Sequence, residues 1–212
     1  MRRREWALRA PRTNVVVASL AVYLIPASAN AHTALLGIGG FWSGVAHLLT
    51  SPDELLLLLG LAIWTSFQDV RLDARVIGAS LFAVLVGVWI GTGILAGTQL
   101  NLVPAGAVLM TVVGLAGAVR LRMGAAPVIS LALATGLACG AASADAVSDL
   151  SVALFSLGGS VAAASVLSYA LLAARCFESE WGGIARRAGA SWIAAIGLMM
   201  LAFSVSGHAG RG

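Results

Sequence analysis

The stretch "AHLLTSPDELLLLLG", residues 46–60, sets His47, Asp53 and Glu54 at the mouth of an apolar run. An imidazole and carboxylates gathered this way can bind a transition-metal cation, which such donors suit better than magnesium or sodium. The same letters also spell the start of a helix. Ser51 can cap, Pro52 suits the first helical position, and Glu54 stands where it completes a capping box. Both acids then lie at the positive end of the helix dipole. The capping reading covers Glu54 well and Asp53 adequately, but it leaves His47 unexplained. The two readings predict different proteins.

The elements that must position these residues are membrane helices. Of 212 residues, 59% are hydrophobic and 10% charged, and the mean hydropathy is +0.95. A soluble domain carries about 25% charged residues, so this balance belongs to an integral membrane protein. The isoelectric point near 10.0 does not mark a nucleic-acid binder. There is no lysine, and five of the thirteen arginines (Arg2, Arg3, Arg4, Arg9, Arg12) fall in the first twelve residues. Beyond residue 31 eight arginines balance eight acids. The basicity is a topology signal.

Residues 1–31 read as a secretory signal: an arginine-rich start, the apolar stretch "NVVVASLAVYLI", and small residues ending Ala29-Asn30-Ala31 before His32. The alternative is an uncleaved first span, but the apolar core falls short of the roughly 20 residues a span needs. Residues 32–212 then form one transmembrane helical domain. Apolar segments at 53–68, 76–97, 102–119, 125–146, 150–174 and 188–206 predict six spans. The fold class is an all-α polytopic bundle. Before its first span, residues 34–49 predict a short helix that either re-enters the membrane or lies flat in the interface. Small residues four apart, Gly87 with Gly91 and Gly93 with Gly97, predict close helix packing, as does the small face from Gly158 to Ser165.

Arg71, Arg75, Arg120, Arg122, Arg175, Arg186 and Arg187 fall in alternate loops, which are therefore expected in the cytoplasm. This makes a multi-pass protein of a bacterial inner membrane with its mature N-terminus in the periplasm. His32, His47, Asp53, Glu54, Asp145, Asp149 and His208 gather toward the outer side, with Cys139 about two helical turns below Asp145. Ionisable groups at membrane depth face a bundle interior or a cavity and are functional candidates. Asp145 and Asp149 also read as loop and helix-cap acids, and Cys139 as a small buried apolar residue. Ser143, one turn from Cys139, is a further polar candidate. If His32 becomes the N-terminus, its α-amine and imidazole can chelate a metal together. Cys139 and Cys176 fall toward opposite faces, too far apart for a disulfide.

Two stretches resemble a known family. "AHT" after the A-x-A site and then "GFWSGVAHLLTSPDELLLLLGLAIW" are similar to the start of the HupE/UreJ proteins, hydrogenase and urease accessory proteins regarded as nickel permeases. That family writes His-x5-Asp-His in its first span; His47 and Asp53 keep the spacing, and Glu54 stands in place of the second His. The family's second motif, Phe-His-Gly-x-Ala-x-Gly-x-Glu, falls on "ACGAASADA", residues 138–146. Gly140 and Ala142 match it, while Cys139 replaces the His and Ala146 the Glu.

The resemblance implies a permease for a divalent transition metal (nickel, cobalt, copper or zinc) taken as substrate. Its metal ligands would be His47 and Asp53, joined by Glu54, Cys139 and His32. No permanently bound cofactor and no catalysis is implied. Two other functions fit the same residues: a non-transporting accessory or structural subunit that keeps the fold without the ligands, and a proton-coupled carrier of an organic cation that uses Asp53 and Glu54 as a relay. Membrane lipid and a metal ion are the expected partners, with a homo-oligomer or a membrane-protein partner left open.

Overall fold

The structure is a computed structural model that describes residues 39–96, 102–147, 150–176 and 179–209. Residues 1–31, expected to be a signal, together with His32, Gly97, Asp149 and the side chain of His208, lie outside the described residues. Among those described there are seven α-helices, two short 3₁₀ turns and no strand. The helices are α1 (Gly40–Thr50), α2 (Pro52–Thr65), α3 (Asp73–Gly93), α4 (Val103–Ala118), α5 (Ala125–Ala142), α6 (Val152–Cys176) and α7 (Glu180–Ala209). The 3₁₀ turns, Val70–Leu72 and Ser143–Val147, precede α3 and follow α5.

Four segments are long and apolar enough to cross a membrane: Val70–Gly93, Ala125–Val147, Val152–Cys176 and Glu180–Ser206. The pair α1–α2 makes a fifth if it is one broken span, bent by 74°. The break has a local cause. A proline disfavours helical backbone in the residue before it, and Ser51, at φ −90° and ψ 99°, is extended. The expected short helix before the first span is thus α1, beginning at Gly40. The six expected segments all appear as helices, yet α2 has 14 residues and α4 has 16, both shorter than the roughly 20 of a full span. Helix α7 starts at Glu180, so Arg186 and Arg187, expected in a loop, lie in its early turns.

Helix α2 is apolar on every side, the mark of a helix enclosed by others. Leu57, Leu58, Leu61, Ala62 and Trp64 are buried along it, and α4, α5, α6 and α7 all pack against it. Around it the other helices form three close pairs, α1 with α6, α3 with α5, and α4 with α7. Missing side chains make that approach possible. A Cβ on Gly44 would strike the Phe155 carbonyl, and one on Gly158 the Phe41 carbonyl. Gly87 and Gly91 press on α5 as their spacing predicts, and Gly136 and Gly140 of α5 return the contact onto Ser80 and Val84. Gly93 departs from expectation: a Cβ there would meet nothing within 4 Å. Ser160 and Ala162 are buried on the small face of α6, whereas Ser165 is exposed and bonds the Val161 carbonyl in its own helix.

Large apolar side chains cover the outside, among them Trp42, Phe82, Trp89, Leu115, Tyr169, Trp192 and Phe203. Such a surface is suited to lipid, with aromatic side chains fitted to the interface. Cys139 and Cys176 are both free thiols, the first buried and the second exposed.

The arginine-bearing segments meet at one end of the bundle. Arg175 makes a two-pronged contact with Asp73, at 2.6 Å to each carboxylate oxygen, and points further N–H groups at the carbonyls of Thr65, Ser66 and Gln68. Thr65 and Ser66 give the last carbonyls of α2 and its cap, which a cation stabilises, and Gln68 lies just beyond. Trp64 Nε1 and Gln68 Nε2 both donate to the Leu121 carbonyl, at 2.9 and 2.7 Å. These bonds tie the foot of α2 to the loop between α4 and α5.

Candidate functional site: a cavity at the α1–α2 bend

The bend between α1 and α2 brings the last turn of one helix against the first turn of the other. His47 and Glu54 face each other across it, with Nε2 3.5 Å from Oε1. Both side chains are buried, at 4% and 6% exposure. The imidazole lies beside the Phe155 ring, centroids 5.8 Å apart, so α6 forms its back wall.

The capping box is not formed. Ser51 makes no side-chain cap bond to α2; its hydroxyl instead donates to the His47 carbonyl at 2.8 Å and sits 3.4 Å from His47 Nε2. The Glu54 carboxylate turns away from its own helix start. Its Oε1 accepts from the Ser143 hydroxyl at 2.9 Å, a bond between residues 89 positions apart. Ser143 also reaches the Cys139 carbonyl at 2.8 Å, so it ties the end of α5 to the start of α2.

Two buried polar atoms of this group have no hydrogen-bond partner: His47 Nδ1 and Glu54 Oε2. An orphaned buried polar atom costs about 1–3 kcal/mol, and an ion or water at the site is one physical reason for it to persist. The residues line a cavity of about 590 Å³. His47, Ser51, Asp53 and Glu54 come from the bend, Cys139 from α5, and Asp145 from the 3₁₀ turn. Asp53 is half-buried and Asp145 exposed. Of the sequence candidates, His47, Asp53, Glu54, Cys139 and Asp145 share this cavity, with Ser143 bonded to Glu54 beside it. Among the described residues, no group of three or more His, Cys, Asp or Glu is arranged to hold one metal ion.

Sequence reasoning missed Ser51 as a partner of His47, and it missed Met110 and Met200, which bring thioethers from α4 and α7 to the cavity wall. A trace of Met110 was present. Gly106, Ala107 and Met110 recur at helical spacing and line the wall together. Gly140, one of the two matches to the second family motif, has a packing reason here, because any side chain on it would strike the Val84 carbonyl.

Apolar helices with a lipid-suited exterior, enclosing a polar cavity beside a buried imidazole–carboxylate pair, define a multi-pass membrane protein. The family model described as HupE / UreJ protein matches residues 20–200. The chain belongs to the HupE/UreJ family. No curated protein and no solved structure matches it.

Proposed function

We propose that the protein carries a divalent transition-metal cation, nickel or cobalt foremost, inward across a bacterial inner membrane by way of the cavity at the α1–α2 bend. The observation behind this reading is the His47–Glu54 pair, buried at the cavity wall with one nitrogen and one oxygen left unsatisfied. A cation at the wall would give either atom the partner it lacks. Asp53 would supply a second carboxylate near the entrance, while Cys139, Met110 and Met200 add soft donors that favour a transition metal over magnesium or calcium. An incomplete coordination set suits a carrier, since binding must be strong enough to admit the ion and weak enough to release it. Water would complete the shell.

The charge pattern supplies the direction. The arginine end would face the cytoplasm and the cavity end the periplasm. His32, exposed as the N-terminus by signal cleavage, would add a chelating amine and imidazole on the entry side.

The experiment is titration of the purified protein with Ni²⁺ and Co²⁺, alongside Cu²⁺ and Zn²⁺. Saturable binding is expected in the wild type. His47→Ala and Asp53→Asn should each abolish it, and Asp53→Asn, at a half-buried position, should do so without lowering expression or the melting temperature. Affinity should fall on acidification, because a ligating imidazole or carboxylate must first lose its proton. Unchanged affinity in both variants would remove the reading. One observation favours the accessory-subunit alternative, namely that no three candidate ligands converge among the described residues. Under it the wild type binds none of the four metals.

A further inference from the structure

The opposite end of the bundle holds a second, larger cavity of about 750 Å³ that the metal reading does not use. Five guanidiniums line it, drawn from three separate segments: Arg120 and Arg122 from the loop between α4 and α5, Arg175 from the end of α6, and Arg186 and Arg187 from α7. One carboxylate, Glu180, faces them. Structural roles account for part of the set. Arg175 is held by Asp73 and the end of α2, Arg186 donates to the Ser66 hydroxyl at 3.2 Å, and Arg187 donates to the Ala118 carbonyl at the end of α4.

The remaining geometry concentrates charge beyond what capping needs. The Phe67 ring takes two cations, Arg186 at 4.8 Å and Arg120 at 5.5 Å from its centroid. Arg120 holds its position at φ 53°, a left-handed backbone that a residue with a side chain adopts at a cost. Gly183 leaves the room for it, since a Cβ there would come within 2.6 Å of Arg120 Nη2. The first turn of α7, with Ser179 and Glu180, opens on the same cavity and adds the positive end of a 30-residue helix. Several like charges gathered in one concave space repel each other until an anion enters. Guanidiniums match the paired oxygens of a phosphate in particular.

We propose that this basin binds a phosphate-bearing anion, with Arg120 and Arg122 as its principal contacts. The phosphate can come from a lipid headgroup in the adjoining leaflet or from solution. The test uses the full protein in phosphatidylcholine nanodiscs, titrated separately with short-chain phosphatidylglycerol and with inorganic phosphate, and read by bound-ligand mass and melting temperature. Saturable binding of the lipid alone supports the headgroup as the source, and binding of inorganic phosphate that competes with the lipid supports the free anion. Arg120→Gly keeps the left-handed turn while removing the charge, and Arg122→Gln changes an exposed loop position. Each should weaken binding by about fivefold, the factor for one basic side chain at an anionic surface. Arg71→Gln, outside the cavity, should change it less than about twofold by the same measure. Binding of neither ligand, or an equal loss with Arg71→Gln, would overturn the proposal.

Discussion

Ser51 and Glu54 are the letters of a capping box, and in the folded protein each bonds elsewhere. Ser51 reaches back to His47, and Glu54 reaches across to Ser143 on another helix. Local chemistry made the box available; the bend at Pro52 made a better partner available to both. Leaving one partner of a buried hydrogen bond unsatisfied costs about 1–3 kcal/mol, so Ser143→Ala should lower stability by roughly that amount, measured by denaturant or thermal unfolding in detergent. A silent Ser143→Ala would return Glu54 to a purely local role. The need of His47 for a partner other than the cap was legible in the sequence. Its actual neighbours, Ser51 and Phe155, were not, because the proline marks the break without fixing the 74° angle or which helix packs behind the imidazole. Glu54→His should strengthen nickel binding, since it places an imidazole where the resembled motif has one and nickel favours nitrogen donors.

At the level of elements, the helices were readable from apolar runs, and the glycines that pair them only in part. Gly87 and Gly91 announced a tight face on α3, yet the matching face of α5, built on Gly136 and Gly140, becomes visible only when both helices are in place. Gly93 has the same spacing signal and no neighbour within 4 Å, because two residues on from Gly91 it turns about 200° away from the face that meets α5. The two positions therefore separate. Gly140→Leu should force α3 and α5 apart and cost about 1–3 kcal/mol or more, as overpacking does. Gly93→Ala should be neutral or stabilising by up to about 1 kcal/mol, the helix preference of alanine over glycine. Melting temperatures of the two variants, measured side by side, check this. Equal losses would mean that the α3–α5 approach is not set by these glycines.

For the whole molecule, the arginine pattern implies a direction across the membrane. The structure gathers Arg120, Arg122, Arg175, Arg186 and Arg187 at the end away from the His47–Glu54 cavity, so accessibility at two sites is enough to orient the bundle. In a cysteine-free background, Arg122→Cys should react with an impermeant thiol reagent only after permeabilisation, and Thr50→Cys in intact spheroplasts. Labelling in the reverse order would invert the topology and with it the direction of transport. The central claim is that the cavity at the bend passes a metal inward, and it is tested most directly by uptake of radiolabelled nickel into cells lacking their own nickel transporter. Uptake is expected with the wild type, lost with His47→Ala and with Asp53→Asn at equal membrane abundance, and kept or raised with Glu54→His. Wild-type cells that accumulate no more nickel than the empty host, or a His47→Ala variant that transports as well as the wild type, would contradict it.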